Sequence, residues 1–362
     1  MKLLELSTGD YVYRYPHTLA VLFNQPRKVL STSLFHGGYR EALTAIFNYQ
    51  IDCTAAMPRL SDYQEQMRQA AREAGLDPDR VSGMGTAAAM ENVAILSESF
   101  QQLTVTALAT GGVEANGGRV GDPADYFSPG EKRASPPPGT INIILVIDAD
   151  LPPGILARAL VTCTEAKTAA LQELMVGSNY STGLATGSGT DQTMVVANPA
   201  SPLYLESAGK HSKLGELIGR TVKQAVKEAL WRQTRLSPQR QHSILRRMKR
   251  FGITEETLWQ DYRQEREGAM TRAEFLSCLH RMDQDPWLVT FTSLYLHVLD
   301  QFLWNLFCGE EALEAGNQLA ALTAVKFCIP VVPVTAPEPE YFISLWEKLL
   351  LSILHSKFRD GS

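Results

Sequence analysis

The sequence predicts an α/β or α+β protein, with a layered mixed-sheet core flanked by helices over its first two thirds and an all-α region after it. Three observations predict this. Strand-like and helix-like segments alternate up to about Ser212. The solid apolar run Ile141 to Ile147 is followed by a helix, Gly154 to Met175, that sets Leu156, Leu160, Cys163, Leu171 and Leu174 on one face, the pattern of packing on a sheet. Beyond Ser212 strand-like alternation largely disappears.

In chain order, His17 to Phe23 (HTLAVLF) and Lys28 to Leu34 (KVLSTSL) read as strands, and Asn24-Gln25-Pro26-Arg27 between them is turn chemistry that predicts a hairpin. Gly37-Gly38 breaks the chain before REALTAIFNY, which reads as helical. Ser61 with Gln64 makes a capping-box pattern for a helix running to Gly75, where that glycine and Pro78 stop it. Leu103 to Ala109 is a strand ending in Thr110-Gly111-Gly112, and Asp122 to Gly139 is a loop long enough to suit a position beside a site. The strand Ile141 to Ile147 comes next, then Asp148, Pro152-Pro153 and the helix Gly154 to Met175. The glycine-rich stretch Leu184 to Asp191 (LATGSGTD) leads into a strand, Thr193 to Ala197. Leu214, Leu217, Ile218, Val222, Val226 and Leu230 recur at helical spacing, and further helices are expected near 238–250, 254–265, 271–282, 287–307, 309–325 and 338–356. The expected division is a domain over 1–235 and a helical extension over 236–362, with no internal repeat.

With 362 residues, 44% hydrophobic and 20% charged, the chain has ordinary globular composition and room for two domains. Its net charge of -5 gives no global attraction to nucleic acid or anionic lipid, so a small-molecule partner is expected. The N-terminus has no apolar segment of signal-peptide length and no block long enough to span a bilayer follows, which predicts a cytoplasmic protein. Cys53, Cys163, Cys278, Cys308 and Cys328 are odd in number and never spaced as CxxC, a pattern of reduced, mostly buried thiols.

Six strings, VLSTSLFHGGYREA, TGGVEANGGRVGDPA, GTINIILVIDAD, LARALVTCTEAKTAALQEL, YSTGLATGSGTD and HSKLGELIG, occur in that order over roughly residues 17–233 and resemble the adenosylcobinamide amidohydrolase family of corrinoid salvage. The resemblance implies hydrolysis of the amide that joins a corrin propionate side chain to aminopropanol, giving adenosylcobyric acid. Its substrate would be a corrinoid whose cobalt arrives with it, so no intrinsic cofactor is implied. Gly139-Thr140 ahead of IILVIDAD and a helix, with Gly187-Ser188-Gly189 and Asp191 downstream, also resembles self-cleaving hydrolases of the aminopeptidase and ornithine acetyltransferase type. That second likeness implies two sheets stacked between helices, an αββα sandwich.

Amide hydrolysis needs a nucleophile or activated water, a proton carrier and donors for the oxyanion. Thr140 is the first candidate nucleophile; were the bond after Gly139 cut, its new α-amine, with a pKa of about 7.7–8.0, would serve as base. Its plain alternative is a threonine that starts a strand. Gly111 and Gly112 let backbone amides approach a ligand, with Asn116 as oxyanion donor and Glu114 as proton shuttle, though tight turns use the same residues. Lys167, beside Glu165 on its helix, falls on the otherwise apolar side; if buried it is a base candidate, and otherwise it sits at the edge of the face. Ser188 and Asp191 read as a loop that wraps substrate or as a plain turn, and the stretch lacks the P-loop pattern. His36 and His211 are placed as substrate contacts at the corrin periphery or its cobalt, or as surface residues. No His or Cys spacing supports a metal site. The function expected is hydrolysis of adenosylcobinamide, with a corrinoid-binding protein without catalysis, or a self-processing threonine peptidase or acyltransferase, as alternatives. A homo-oligomer is compatible with the C-terminal helices.

Overall fold

The computed structural model describes residues 1–51, 60–124, 138–265 and 270–358. Cys53 and most of the loop expected over 122–139 lie outside the described residues. Contacts divide the chain into two units, Met1–Ser237 and Pro238–Ser362. The first begins with the antiparallel strands β1 (Lys2–Glu5), β2 (Tyr11–Tyr15) and β3 (Thr18–Leu22). Next, β4 (Lys28–Ser31) pairs with β5 (Gly38–Arg40), and β6 (Ala45–Gln50) returns to β3. After α1 (Leu60–Glu73), β7 (Val81–Thr86) lies parallel to β6, and β8 (Ala94–Phe100) with β9 (Leu103–Gly111) forms a hairpin. The short β10 (Gly117–Gly118) precedes β11 (Ile141–Ile147), α2 (Pro153–Glu173), β12 (Gly187–Ser188), β13 (Gln192–Ala197) and α3 (Lys213–Thr234).

These strands make two mixed sheets, one in the order β1-β2-β3-β6-β7 and the other β5-β4-β13-β11-β9-β8, with β10 pairing β12 apart from both. β11 and β13 are parallel, joined through the crossover helix α2. Burial explains why β11 is apolar at every position but Asn142: Ile141, Ile143, Leu145 and Ile147 join one core with Leu156 and Cys163 of α2 and Val222 and Leu230 of α3, while Ile144 and Val146 join a second core with Val12, Val21, Ile46 and Met84 of the other sheet. A third core packs Tyr63 and Met67 of α1 on Phe47 and Val81. The layers therefore run α1, five-stranded sheet, six-stranded sheet, α2 with α3.

Three expectations are corrected. Thr18–Leu22 and Lys28–Ser31 form no hairpin, since they belong to different sheets. The turn between them crosses from sheet to sheet because Arg27, 1% exposed, is drawn inward: it donates to Asp10 Oδ2 at 2.8 Å and Oδ1 at 2.9 Å, and to Asn198 Oδ1 at 3.1 Å at the end of β13. REALTAIFNY is not a helix; its second half is β6, where Ala45, Ile46, Phe47 and Asn48 are buried on both faces, and a short apolar run with β-branched and aromatic residues suits a central strand. Ser61 lies inside α1 with its hydroxyl on Asp62, and Gln64 reaches the Leu34 carbonyl, so the capping box does not form. Asp10→Ala is expected to destabilise the first unit by about 3–5 kcal/mol, because it strands a buried guanidinium; a urea titration of the full chain reads the loss as an earlier first transition.

The second unit is helical: α4 (Pro238–Gln241), α5 (Ile244–Met248), α6 (Glu255–Glu265), α7 (Arg272–Asp283), α8 (Pro286–Leu303), α9 (Gly309–Phe327) and α10 (Pro339–Ile353). Its core centres on Trp346, which donates to Thr292 Oγ1 at 3.1 Å and stacks on Tyr295. A buried Arg250–Asp300 pair, with contacts of 2.7 and 2.6 Å, joins α8 to the turn after α5. Among the described residues no helix is long and apolar enough to cross a membrane. Cys163 is buried and desolvation pushes its thiol up to about 12, whereas Cys308 and Cys328 are exposed. Thiol labelling of the native protein at pH 8, mapped by peptide mass, is therefore expected to mark Cys308 and Cys328 and spare the protonated Cys163.

Candidate active site

The site residues collect where β11 and β13 begin and β9 ends. Parallel pairing brings the heads of β11 and β13 side by side, and antiparallel pairing sets Gly111 opposite Ile141. The loop before β13 wraps around one carboxylate. Asp191 Oδ1 accepts from the Ile141 amide at 2.8 Å and from Ser188 Oγ at 2.6 Å, and Oδ2 accepts from the Ser188 amide at 2.9 Å and from the Lys167 ammonium. Four donors occupy the carboxylate's acceptor positions, so Asp191 acts as a clamp holding strand head, loop and helix together. Lys167 reaches it from α2 with its side chain 11% exposed, an ammonium kept in an apolar layer by its ion pair. A Cβ at Gly187 would stand 2.3 Å from Asp191 Oδ2 and 2.6 Å from Lys167 Nζ and would displace the ion pair.

Thr140 precedes β11 and is 6% exposed. Among the described residues its hydroxyl has one partner, Thr190 Oγ1 at 2.7 Å. Thr190 in turn donates to the Gly139 carbonyl at 3.1 Å, and Asn116 Nδ2 donates to the same oxygen at 3.0 Å. Asn116, 3% exposed, is oriented by Tyr180, whose hydroxyl donates to Asn116 Oδ1 at 2.7 Å. Since a carbonyl only accepts, Asn116 must present its NH2 to Gly139, while the single Thr190 hydrogen has three oxygens in reach, the Gly139 carbonyl, Thr140 Oγ1 and Ser188 Oγ at 3.4 Å. Either hydroxyl can donate in the Thr140–Thr190 bond. A hydroxyl, a carbonyl and two donors to that carbonyl thus stand in one short chain.

Beside this chain, a polar row crosses the gap between the sheets. Asn142 lies between Thr110 and Gln192 on neighbouring strands. Its Nδ2 donates to Asn48 Oδ1 at 2.8 Å and to the Gly85 carbonyl at 3.0 Å on the facing sheet, and Asn48 Nδ2 donates to Thr110 Oγ1 at 2.8 Å. Such a network fixes how the two sheets meet under the site.

Of the residues singled out from sequence, the fold brings Thr140, Asn116, Lys167, Ser188, Asp191, Gly111 and Gly112 together. Gly112 spends its amide on the Thr140 carbonyl at 3.2 Å, and so supports the strand head instead of offering that donor to a ligand. Glu114 lies half-buried in the turn leading to Asn116, and its carbonyl accepts from Asn179 Nδ2. His36 and His211 are placed elsewhere. The His36 ring bonds the Val81 carbonyl at 2.9 Å and stacks on Phe35, four residues down β7 from Gly85 and so roughly 13 Å away. His211 is exposed before α3, whose opposite end puts Leu230 against Gly111, roughly 28 Å along the helix. Sequence reasoning missed Thr190, Tyr180 and Asn142. Thr190 and Tyr180 lie within the string YSTGLATGSGTD, and Asn142 was legible as a polar residue inside an apolar strand. Among the described residues no group of three His, Cys, Asp or Glu is placed to hold a metal ion.

Fold and site together define an α/β sandwich with a buried threonine, carbonyl and donor cluster at a strand head. The chain belongs to the adenosylcobinamide amidohydrolase (CbiZ) family, whose model matches residues 3–238. An uncharacterized protein of Methanocaldococcus jannaschii is 34% identical over 258 residues, covering 65% of this chain and 98% of that protein. An adenosylcobinamide amidohydrolase of Methanosarcina mazei is 30% identical over 211 residues, covering 56% of this chain and 90% of that one. Among solved structures, the PH0078 protein from Pyrococcus horikoshii OT3 is similar with a TM-score of 0.29 and 13% identity, covering 69% of this chain and 88% of that chain, a likeness too remote to bear on fold or function.

Proposed function

We propose that the protein hydrolyses the aminopropanol amide of adenosylcobinamide to adenosylcobyric acid, with Thr140 as nucleophile. The observation that supports this most is the Gly139 carbonyl, which accepts from Asn116 Nδ2 and Thr190 Oγ1 right beside the Thr140 hydroxyl. An amide carbonyl of the substrate that displaces the Gly139 carbonyl from that position would meet the same two donors as its oxygen gains charge. Family membership supplies the substrate class. Tyr180 and the Asp191 clamp act as positioning groups, holding Asn116 and the strand head so that little reorganisation accompanies the attack. The corrinoid, cobalt included, enters as substrate.

Asn116→Ala tests the donor role. It is expected to lower kcat by about 10²–10³-fold with a smaller change in KM, measured by liquid chromatography of corrinoid products, because the lost bond strengthens in the transition state. Unchanged kcat would remove Asn116 from the site.

A further inference from the structure

We propose that the rung of side chains one step inside the Thr140–Thr190 pair binds the hydroxyl of the amino alcohol on the scissile amide, so that Asn142, Gln192 and Tyr63 select the leaving group. The proposal rests on the hydrolase reading for its substrate. β11 and β13 run parallel with Asn142 opposite Gln192, and Thr140 and Thr190 meet two residues earlier on each chain. The next pair inward on that face, Ile144 and Met194, is apolar and belongs to the core between the sheets. Tyr63 enters from α1, its ring so close to β7 that a Cβ at Gly85 would stand 3.1 Å from Tyr63 Cε2. Burial pushes the Tyr63 hydroxyl above its ordinary pKa, and the Gln192 side chain and Gly85 amide beside it pull the other way. Asn142 Nδ2 donates to the Gly85 carbonyl at 3.0 Å, so all three side chains converge on Gly85.

Each of the three brings a buried oxygen that has no partner in hydrogen-bonding geometry among the described residues: Asn142 Oδ1, Gln192 Oε1 and Tyr63 Oη. Asn142 is 1% exposed and Tyr63 9%. A buried polar atom left unpaired costs about 1–3 kcal/mol, so three at one point call for a polar ligand. Their chemistry specifies which. The Asn142 NH2 is committed to the Gly85 carbonyl and to Asn48 Oδ1, which leaves Oδ1 as a fixed acceptor. Tyr63 carries a hydroxyl hydrogen, and Gln192, only half-buried, can turn its amide to present the NH2. A ligand hydroxyl answers all of them, donating to Asn142 Oδ1 and accepting from Tyr63 and Gln192. The spacing agrees with an amino alcohol. Successive side chains on one face of a strand are about 6.8 Å apart. A carbonyl carbon poised for attack stands about 3 Å from the attacking oxygen. The hydroxyl of aminopropanol lies about 4 Å further on, past the amide nitrogen and two carbons.

Steady-state hydrolysis of adenosylcobinamide beside the matching propylamide, which lacks only the hydroxyl, tests this on the full chain. The wild-type protein is expected to favour the aminopropanol amide in kcat/KM by about 10–100-fold, because the propylamide would leave the buried groups unpaired. Tyr63→Phe and Gln192→Met each remove an unpartnered oxygen, so neither should unfold at lower urea than wild type. Each should bring the preference below about 5-fold. Equal hydrolysis of the two amides by wild type, as for a rung that holds only water, overturns the proposal, and so does a preference unchanged in both variants. The two readings fail separately. If neither amide is cut, the hydrolase reading falls, and equilibrium dialysis followed by corrin absorbance reads the same preference in Kd. Tighter binding of the aminopropanol amide that is lost in Tyr63→Phe then keeps the subsite, and equal binding, or none, removes it.

Discussion

Thr140→Ala is expected to lower adenosylcobinamide turnover by on the order of 10⁴-fold or more, the scale seen when a nucleophile is removed from a concerted catalytic set. Thr140 supplies the hydroxyl that bonds Thr190 Oγ1 beside a carbonyl held by Asn116 and Thr190. If the hydroxyl merely closed the end of β11, the substitution would forfeit one hydrogen bond, about 1 kcal/mol of stability, and leave kcat intact. The two roles are thus separated by a steady-state measurement of kcat alongside a denaturation midpoint. Thr140→Ser, which keeps the oxygen, should retain much of the turnover.

Asp191→Ala is expected to carry the largest structural effect at the site, about 3–5 kcal/mol, because Lys167 would be left as a buried charge without its partner. The Ile141 and Ser188 amides would lose their acceptor as well, loosening the strand head on which Thr140 is mounted. Pairing Asp191→Ala with Lys167→Met should recover part of the loss, since the orphaned charge is then removed. Chemical denaturation of the single and double variants measures it. A double variant no more stable than Asp191→Ala would show that the damage comes from the amides and not from the ion pair.

Much of the fold was legible in the sequence because burial writes itself into periodicity. The two-sided burial of β11 produced an apolar run broken only by Asn142, and the single buried face of α2 produced its leucine stripe. β6 was misread because an apolar run of that length carries no period that separates strand from helix. The supposed hairpin failed because Arg27 in its turn is fixed by Asp10 and Asn198, the latter 171 residues away, and no local pattern records that. The site was partly legible for the same reason. Thr140, Asn116, Lys167 and Asp191 announced themselves as polar residues at strand ends or on an apolar face. Thr190 and Tyr180 did not, since their roles rest on pairings 50 and 64 residues distant. His36 and His211 stood in family-like strings, yet the fold anchors one at the far end of β7 and the other beyond the far end of α3.

Product analysis by mass spectrometry, after the wild-type protein is incubated with adenosylcobinamide, tests the proposed hydrolysis most directly. Adenosylcobyric acid together with one equivalent of aminopropanol is the expected result. Adenosylcobinamide recovered unchanged from a protein shown to bind it would leave the chain a corrinoid-binding protein without catalysis.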